Sequence, residues 1–245
     1  MLVLLPPSET KAMGGAAVPL DLGTLGLRQL TRTREVLLDR LIRLSGNPSR
    51  ARKLIGVPAS LDAELARNAW LRVGPTLPAI HRYTGVLYDA LGVGSMTAAE
   101  FARAGERLAI CSALFGLLRP GDAIPVYRLS ASSKLTPAST IPAMWRRPFT
   151  AVGVGVEGPV IDLRSGSYAA FGGFPGAITA RVVTEMPSGG RRVVSHFNKH
   201  TKGLLARALA VTRAQVTDVP SLLRVARRAG LRADRTGLTS IEIVT

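Results

Sequence analysis

The sequence predicts an α+β fold, a single domain spanning residues 1–245 in which helices surround a mixed β-sheet. Three observations carry that prediction. Short apolar runs such as MLVLL, PVIDL and IEIV alternate with longer stretches of helical periodicity. No internal repeat or low-complexity linker marks a boundary between units. The chain has 245 residues, 47% of them hydrophobic, enough for one large core and too few for two generous ones.

MLVLL reads as a short buried strand closed by Pro6-Pro7, with SETK at its exit. Residues 12–24 are rich in Gly and Pro and read as loop. From Gly26 to Leu44 the apolar positions Leu27, Leu30, Leu37, Leu38, Leu41 and Leu44 mark one face of a helix, and arginines crowd the other. A Ser-Gly-Asn-Pro turn follows, then a short helix, a break at Gly56-Val57-Pro58, and a second helix capped by Ser60. Two short helices around a glycine turn fit a helix-hairpin-helix, a phosphate-binding element. A plain helical connection looks the same in sequence.

Residues 79–92 read as a helix. Residues 97–118 read as another, opened by the capping box Thr97-Ala98-Ala99-Glu100. Arg119-Pro120-Gly121-Asp122 turns the chain, VYRLSASS reads as a strand, and residues 140–156 as helix and loop. PVIDLRSGSY gives a strand from Val160 to Leu163 that runs into a polar loop. AITARVVTEM and RRVVSHF pair as a hairpin through Ser188-Gly189-Gly190. Helices over 199–211 and 221–229 and a final strand, IEIV, complete the chain.

Composition narrows the function. The single cysteine, Cys111, lies in an apolar run, which excludes an internal disulfide and a Cys-rich zinc site. No segment is long and apolar enough to span a bilayer, and the N-terminus lacks the basic region of a signal peptide. A cytoplasmic protein with no membrane partner is the expectation, and a monomer the favoured state. The formal charge is +16, with 32 Lys+Arg against 16 Asp+Glu. That excess points to a polyanion, DNA or a nucleotide. Arginine greatly outnumbers lysine, and GC-rich coding would raise arginine without any role in binding.

Three polar groups each follow an apolar strand: Ser8, Glu9 and Lys11; Asp162, Arg164, Ser165, Ser167 and Tyr168; and HFNKHTKG at residues 196–203. If those strands are neighbours, the groups form one cleft. In the last group, Asn198, Lys199 and Lys202 sit near a helix start, where the dipole favours an anion. His196 and His200 have helical spacing for a metal, but no acid lies between them and two lysines flank them. No metal and no cofactor are expected.

Five motifs in order, MLVLLPPSETK, YTGVLYDAL, SALFGLLRPGDAIPVYRL, VIDLRSGSY and HFNKHTKG, resemble the YaaA family of peroxide stress proteins (DUF328/UPF0246), with the LLPPSE start and SHFNK form of its actinobacterial-type branch. The resemblance covers essentially the whole chain. It implies an unusual α+β fold and a cytoplasmic protein induced by hydrogen peroxide. Such a protein limits oxidative DNA damage, lowers unincorporated iron, and binds duplex and distorted DNA through a basic cleft and a helix-hairpin-helix. In LFGLLRPGDAIPVYRL, Arg119 and Asp122 either cap a turn or, with Arg128, bring cations to the cleft mouth. Tyr83, Tyr88 and Tyr168 are candidates to stack on bases, and equally core-edge tyrosines.

Two classes of function remain open. In the first, arginines of the helix over 28–43, with Arg50, Arg52 and Lys53, hold DNA phosphates. In the second, an enzyme hydrolyses an N-glycosidic bond of a nucleoside, nucleotide or damaged base. Glu9 or Asp162 would activate water, and His196 or Tyr168 would protonate the leaving base. Lys199 and Lys202 would hold a phosphate, with Ser8, Lys11, Tyr83, Arg119, Arg128, Arg164, Ser165 and Asn198 as further contacts. The competing reading is an ion pair that locks the sheet end.

Overall fold

The computed structural model describes residues 1–187, 189–193 and 198–245. In chain order its strands are β1 (Leu2–Leu5), β2 (Thr76–Pro78), β3 (Leu108–Ser112), β4 (Gly116–Leu118), β5 (Ala123–Pro125), β6 (Lys134–Thr136), β7 (Ser139–Thr140), β8 (Val160–Asp162), β9 (Ile178–Glu185), β10 (Arg191–Val193), β11 (Arg232–Gly237) and β12 (Ser240–Val244). Its helices are α1 (Thr31–Ser45), α2 (Pro48–Ile55), α3 (Asp62–Arg67), α4 (Ala79–Arg82), α5 (Val86–Leu91), α6 (Ala98–Arg107), α7 (Ile141–Val154), α8 (Gly166–Ala169), α9 (Asn198–Val211) and α10 (Val219–Arg228).

The main sheet runs β11-β12-β9-β8-β1-β3-β4, and β10 pairs with the end of β9. β1 is parallel to both β3 and β8, β9 is parallel to both β8 and β12, and the two outer pairs are antiparallel. The class is α+β with a mixed sheet, as the alternation of patterns predicts. β2 with β5 and β6 with β7 form two small separate pairs.

Strands covered on both faces become continuous apolar runs, without alternation. All four residues of β1 are buried, and so are all five of β3. The same burial divides a segment that reads as one helix. Residues 97–118 are not one helix: α6 ends at Arg107, and LAICS continues as the buried strand β3. Apolar spacing alone does not separate those two outcomes. The capping box at Thr97 is present, with Thr97 Oγ1 accepting from Glu100 N (3.3 Å) and Glu100 Oε2 from Thr97 N (2.9 Å).

The stretch 79–92 also divides. α4 stops at Arg82 because Tyr83 is extended and bridges Lys11, and Gly85 takes a φ of 96° before α5. VYRLSASS forms no strand. Asn68 Nδ2 donates to the Arg128 carbonyl (3.0 Å), and Asn68 Oδ1 accepts from Arg128 N (2.8 Å), taking both backbone groups that a neighbouring strand would use. Ser60 is no cap: a 3-10 turn precedes α3 there. The first long helix starts at Arg28 as a 3-10 turn, after Leu27 in the left-handed region. The edge strand β11 is too polar (RADRTG) to read as a strand. Arg191 holds it from β10, bonding Asp234 (2.6 Å) as well as Glu242 of β12 (3.2 Å).

Two arginines are fully buried and donate to carbonyls, although Arg34 belongs to a helix whose arginines are expected on the outer face. Arg34 bonds Phe115 O (2.9 Å) and Leu117 O (2.7 Å). Arg82 bonds the carbonyls of Ile124, Ala12, Gly14 and Pro75. Each satisfies carbonyls of loops and of short outer strands.

α9 crosses α5 at closest approach through Gly203. A Cβ there would stand 2.3 Å from the Leu87 carbonyl oxygen and 2.7 Å from Ala90 Cβ. Gly203→Ala is therefore expected to destabilise the fold by roughly 2–3 kcal/mol, as overpacking against backbone does. Urea unfolding of the pair measures it, and a loss below about 0.5 kcal/mol, the range of an ordinary surface change, contradicts the packing.

Candidate functional site

Leu4 of β1 stands opposite Asp162 of β8, so the segments Pro6–Thr10 and Leu163–Tyr168 leave the sheet side by side. Thr84, Gly85 and α5 face them, and the start of α9 closes the remaining side. Between these walls lies a cavity of about 630 Å³. Pro7, Leu87, Tyr88 and Tyr168 give it an apolar side. Ser8, Glu9, Ser165, Asn198, Lys199 and Lys202 give it a polar one. The third polar group arrives by another route than the one expected. β10 pairs with β9, not with β1 or β8, and the lysines reach the cavity from the first turns of α9.

Several expected residues are elsewhere. Arg164 does not face the cavity. Its Nε and Nη2 bond both oxygens of Asp162 (2.9 and 2.7 Å), and it also donates to the carbonyls of Tyr168 (3.2 Å) and Gly172 (3.0 Å). Its guanidinium lies 5.3 Å from the ring centre of Phe174. Burial by itself would lower the Arg164 pKa; the hydrogen bonds and charge of Asp162 reverse this and raise it. Asp162 is thus half of a buried clamp, with Oδ1 also accepting from Arg164 N (3.0 Å). Both residues fix the exit of β8.

Tyr83 is 1% exposed, and its hydroxyl bonds that of Tyr127 (2.7 Å), which bonds Ser112 (2.8 Å). A ring held this way stacks on no base. Tyr88 is fixed by donation to Pro6 O (2.8 Å), with Tyr83 stacked behind it. Arg119 points away, donating to Glu106 O (3.2 Å), while Asp122 caps the turn by accepting from Arg119 N and Gly26 N (2.9 Å each). Arg128 lies outside the cavity and bridges Glu9 (3.4 Å) and Glu64 (3.3 Å). Lys53 is exposed on α2. His196 lies outside the described residues. Cys111 is buried, which pushes its thiol up to about 12.

Lys11 acts beneath the cavity. Its ammonium sits 4.4 Å over the Tyr127 ring and donates to the carbonyls of Ser8 (3.1 Å) and Glu9 (3.3 Å), fixing the loop that presents those residues. Burial lowers its pKa to about 8; Glu9 and Glu64 oppose the shift, and Arg128 and Arg82 reinforce it. Lys202 donates to Leu163 O (3.2 Å) at the end of β8. Burial lowers its pKa as well, with Asp162 opposing. Sequence reasoning missed Thr84 and Gly85 as cavity residues. Glycine before a second apolar segment was the available signal. Among the described residues no cluster of three His, Cys, Asp or Glu side chains is placed to hold a metal ion, and no helix is long and apolar enough to cross a membrane.

A second basic feature lies on the far shoulder. Arg40 and Arg43 of α1 and Arg50 of α2 line a recess around Asn47, whose side chain caps α2 by accepting from Arg50 N (3.0 Å). Among the described residues none of the three arginines is in an ion pair. α2 and α3 are two short helices joined through Gly56 in the left-handed region.

Two expectations follow. Asp162→Asn leaves a buried guanidinium without its counter-charge, and a loss of roughly 3 kcal/mol in unfolding free energy is expected; an unchanged urea midpoint contradicts the clamp. Lys11 has a folded pKa below its unfolded value, so the folded state binds fewer protons than the unfolded chain from about pH 8 upward. Stability therefore gains as pH rises from about 8 towards 10, and Lys11→Met removes that gain. Parallel pH profiles of wild type and variant refute this if their difference is flat.

A family model described as peroxide stress protein YaaA matches residues 1–236. A UPF0246 protein of Corynebacterium efficiens is 47% identical over 96% of this chain and 95% of its own length. One from Corynebacterium glutamicum is 43% identical over 94% of each chain. One from Streptomyces coelicolor is 41% identical over 96% of this chain and 92% of its own. With a cavity built on the PPSET, RSGSY and NKHTK segments and similarity across nearly its whole length, the chain belongs to the YaaA/UPF0246 family of peroxide stress proteins.

Proposed function

We propose that this peroxide stress protein binds DNA through the phosphate backbone and so limits oxidative damage to it in the cytoplasm. The observation that carries the reading is the recess lined by Arg40, Arg43 and Arg50, three arginines free of carboxylate partners among the described residues of a chain charged +16. Exposed Lys53 lies on the same short helix as Arg50, beside the α2–α3 turn. Arginine forks suit phosphate oxygens, and such contacts position a duplex without reading its sequence. The strand-end cavity is a poorer seat for a duplex. Of the cations expected to line it, only Lys199 and Lys202 do so among the described residues.

A second reading, hydrolysis of an N-glycosidic bond, now rests on Glu9. Its carboxylate is half exposed on the cavity lip and 3.4 Å from Arg128, whereas Asp162 is engaged on both oxygens. If the cavity is catalytic, Glu9→Gln abolishes base release and leaves duplex affinity unchanged. Chromatography of nucleoside and damaged-base substrates decides it; full activity in Glu9→Gln removes the reading.

For DNA, the expected result is a steep salt dependence with slight sequence preference. Each contact neutralised by Arg40→Gln, Arg43→Gln or Arg50→Gln should lower the log–log salt slope by about 0.9. Anisotropy with one labelled duplex at several salt concentrations measures it. Unchanged slopes in all three variants contradict the assignment.

A further inference from the structure

The cavity at the ends of β1 and β8 has its own ligand chemistry, independent of duplex binding. One end is cationic. Lys202 projects into the wall with its ammonium bonded to the Leu163 carbonyl, which leaves further donors unused. Lys199 and Asn198 stand beside it on the first turn of α9. Among the described residues neither lysine has a carboxylate within ion-pair distance, and Asp162 is held by Arg164. A partly buried ammonium without a counter-ion favours an anionic ligand. Ser165 and Ser167, their hydroxyls 3.2 Å apart, also line the cavity and offer hydroxyl donors to such a ligand.

Much of the remaining lining is apolar. Pro7, Leu87, Tyr88 and Tyr168 contribute to it, and Tyr88 is immobilised by its bond to Pro6 and by the Tyr83 ring behind it. Glu9 and Thr10 at the lip add an acceptor and a hydroxyl. About 630 Å³ falls within the range of pockets that enclose a small molecule.

We propose that this cavity is a binding site for a nucleoside monophosphate, its phosphate on Lys199, Lys202 and Asn198 and its base against Tyr88 and Tyr168. The ligand is either a free nucleotide or a terminal 5′-phosphorylated nucleotide of a strand; the recognition chemistry is shared. The site does not depend on the arginine recess, so failure of one assignment leaves the other standing.

Calorimetric titration of the full chain with the ribo- and deoxynucleoside monophosphates, the matching nucleosides and inorganic phosphate tests it. At least one monophosphate is expected to bind ten-fold or more tightly than its nucleoside or phosphate alone. Lys202→Met should weaken it by about ten- to a hundred-fold, as loss of a charge-assisted hydrogen bond does. The exposed Lys199→Gln, which leaves the fold untouched, should weaken it by a smaller factor, and Arg213→Gln, a charge-matched change outside the cavity, should leave it unaltered. A 5′-phosphorylated oligonucleotide that displaces the nucleotide better than its unphosphorylated twin places the ligand at a strand end; failure to displace it leaves the free nucleotide. Absence of binding by every monophosphate, or equal affinity in wild type, Lys202→Met and Lys199→Gln, overturns the proposal.

Discussion

The parallel pairing of β1 with β8 is the constraint on which the rest of the site depends. Its register sets Leu4 against Asp162 and so brings two distant polar segments to one end of the sheet. The Asp162–Arg164 clamp then fixes where the chain goes after β8, because Arg164 also gathers the carbonyls of Tyr168 and Gly172. Lys11 does the corresponding work after β1, through the carbonyls of Ser8 and Glu9. Charged groups that look catalytic in sequence thus serve as the frame, and hydroxyls and the α9 lysines form the surface. Buried arginines supply the same service elsewhere: Arg34 and Arg82 satisfy carbonyls of loops and short outer strands that would otherwise be costly to bury.

This division changes how the charge of +16 is understood. Part of it is internal and unavailable to a polyanion. Part of it is neutralised in place, as Arg191 is by Asp234 and Glu242, or Arg128 by Glu9 and Glu64. Of what remains, two groups line concave surfaces: Arg40, Arg43 and Arg50 in the recess, and Lys199 and Lys202 in the cavity. Both suit phosphate, and their linings differ: arginines dominate the recess, whereas the cavity sets apolar side chains beside hydroxyls and two lysines.

The sequence was legible where local pattern and tertiary role agree. LVLL as a buried strand, the capping box at Thr97, the hairpin-forming AITARVV segment and the helix after HFNK all follow from spacing and turn chemistry. It was illegible where a distant group decides. LAICS reads as helix until β1 and β4 flank it. VYRLSASS reads as strand until Asn68 takes its backbone groups. The convergence of Ser8 and Glu9 with Ser165 and Tyr168 was foreseeable, since strand ends of one sheet meet, but the α9 lysines reach the cavity from a helix and not from a neighbouring strand end. The fate of Asp162, Arg164 and Tyr83 was not. Burial and partner choice decide whether an acid, a guanidinium or a phenol faces a ligand, and neither is written in local spacing.

The claim that DNA and the small ligand use different surfaces is tested most directly by hydrogen exchange of the protein with and without saturating duplex DNA. The account predicts slowed exchange over residues 40–53, with segments 6–10 and 163–168 unchanged. Protection confined to those two segments and the start of α9 would contradict it and place DNA in the strand-end cavity.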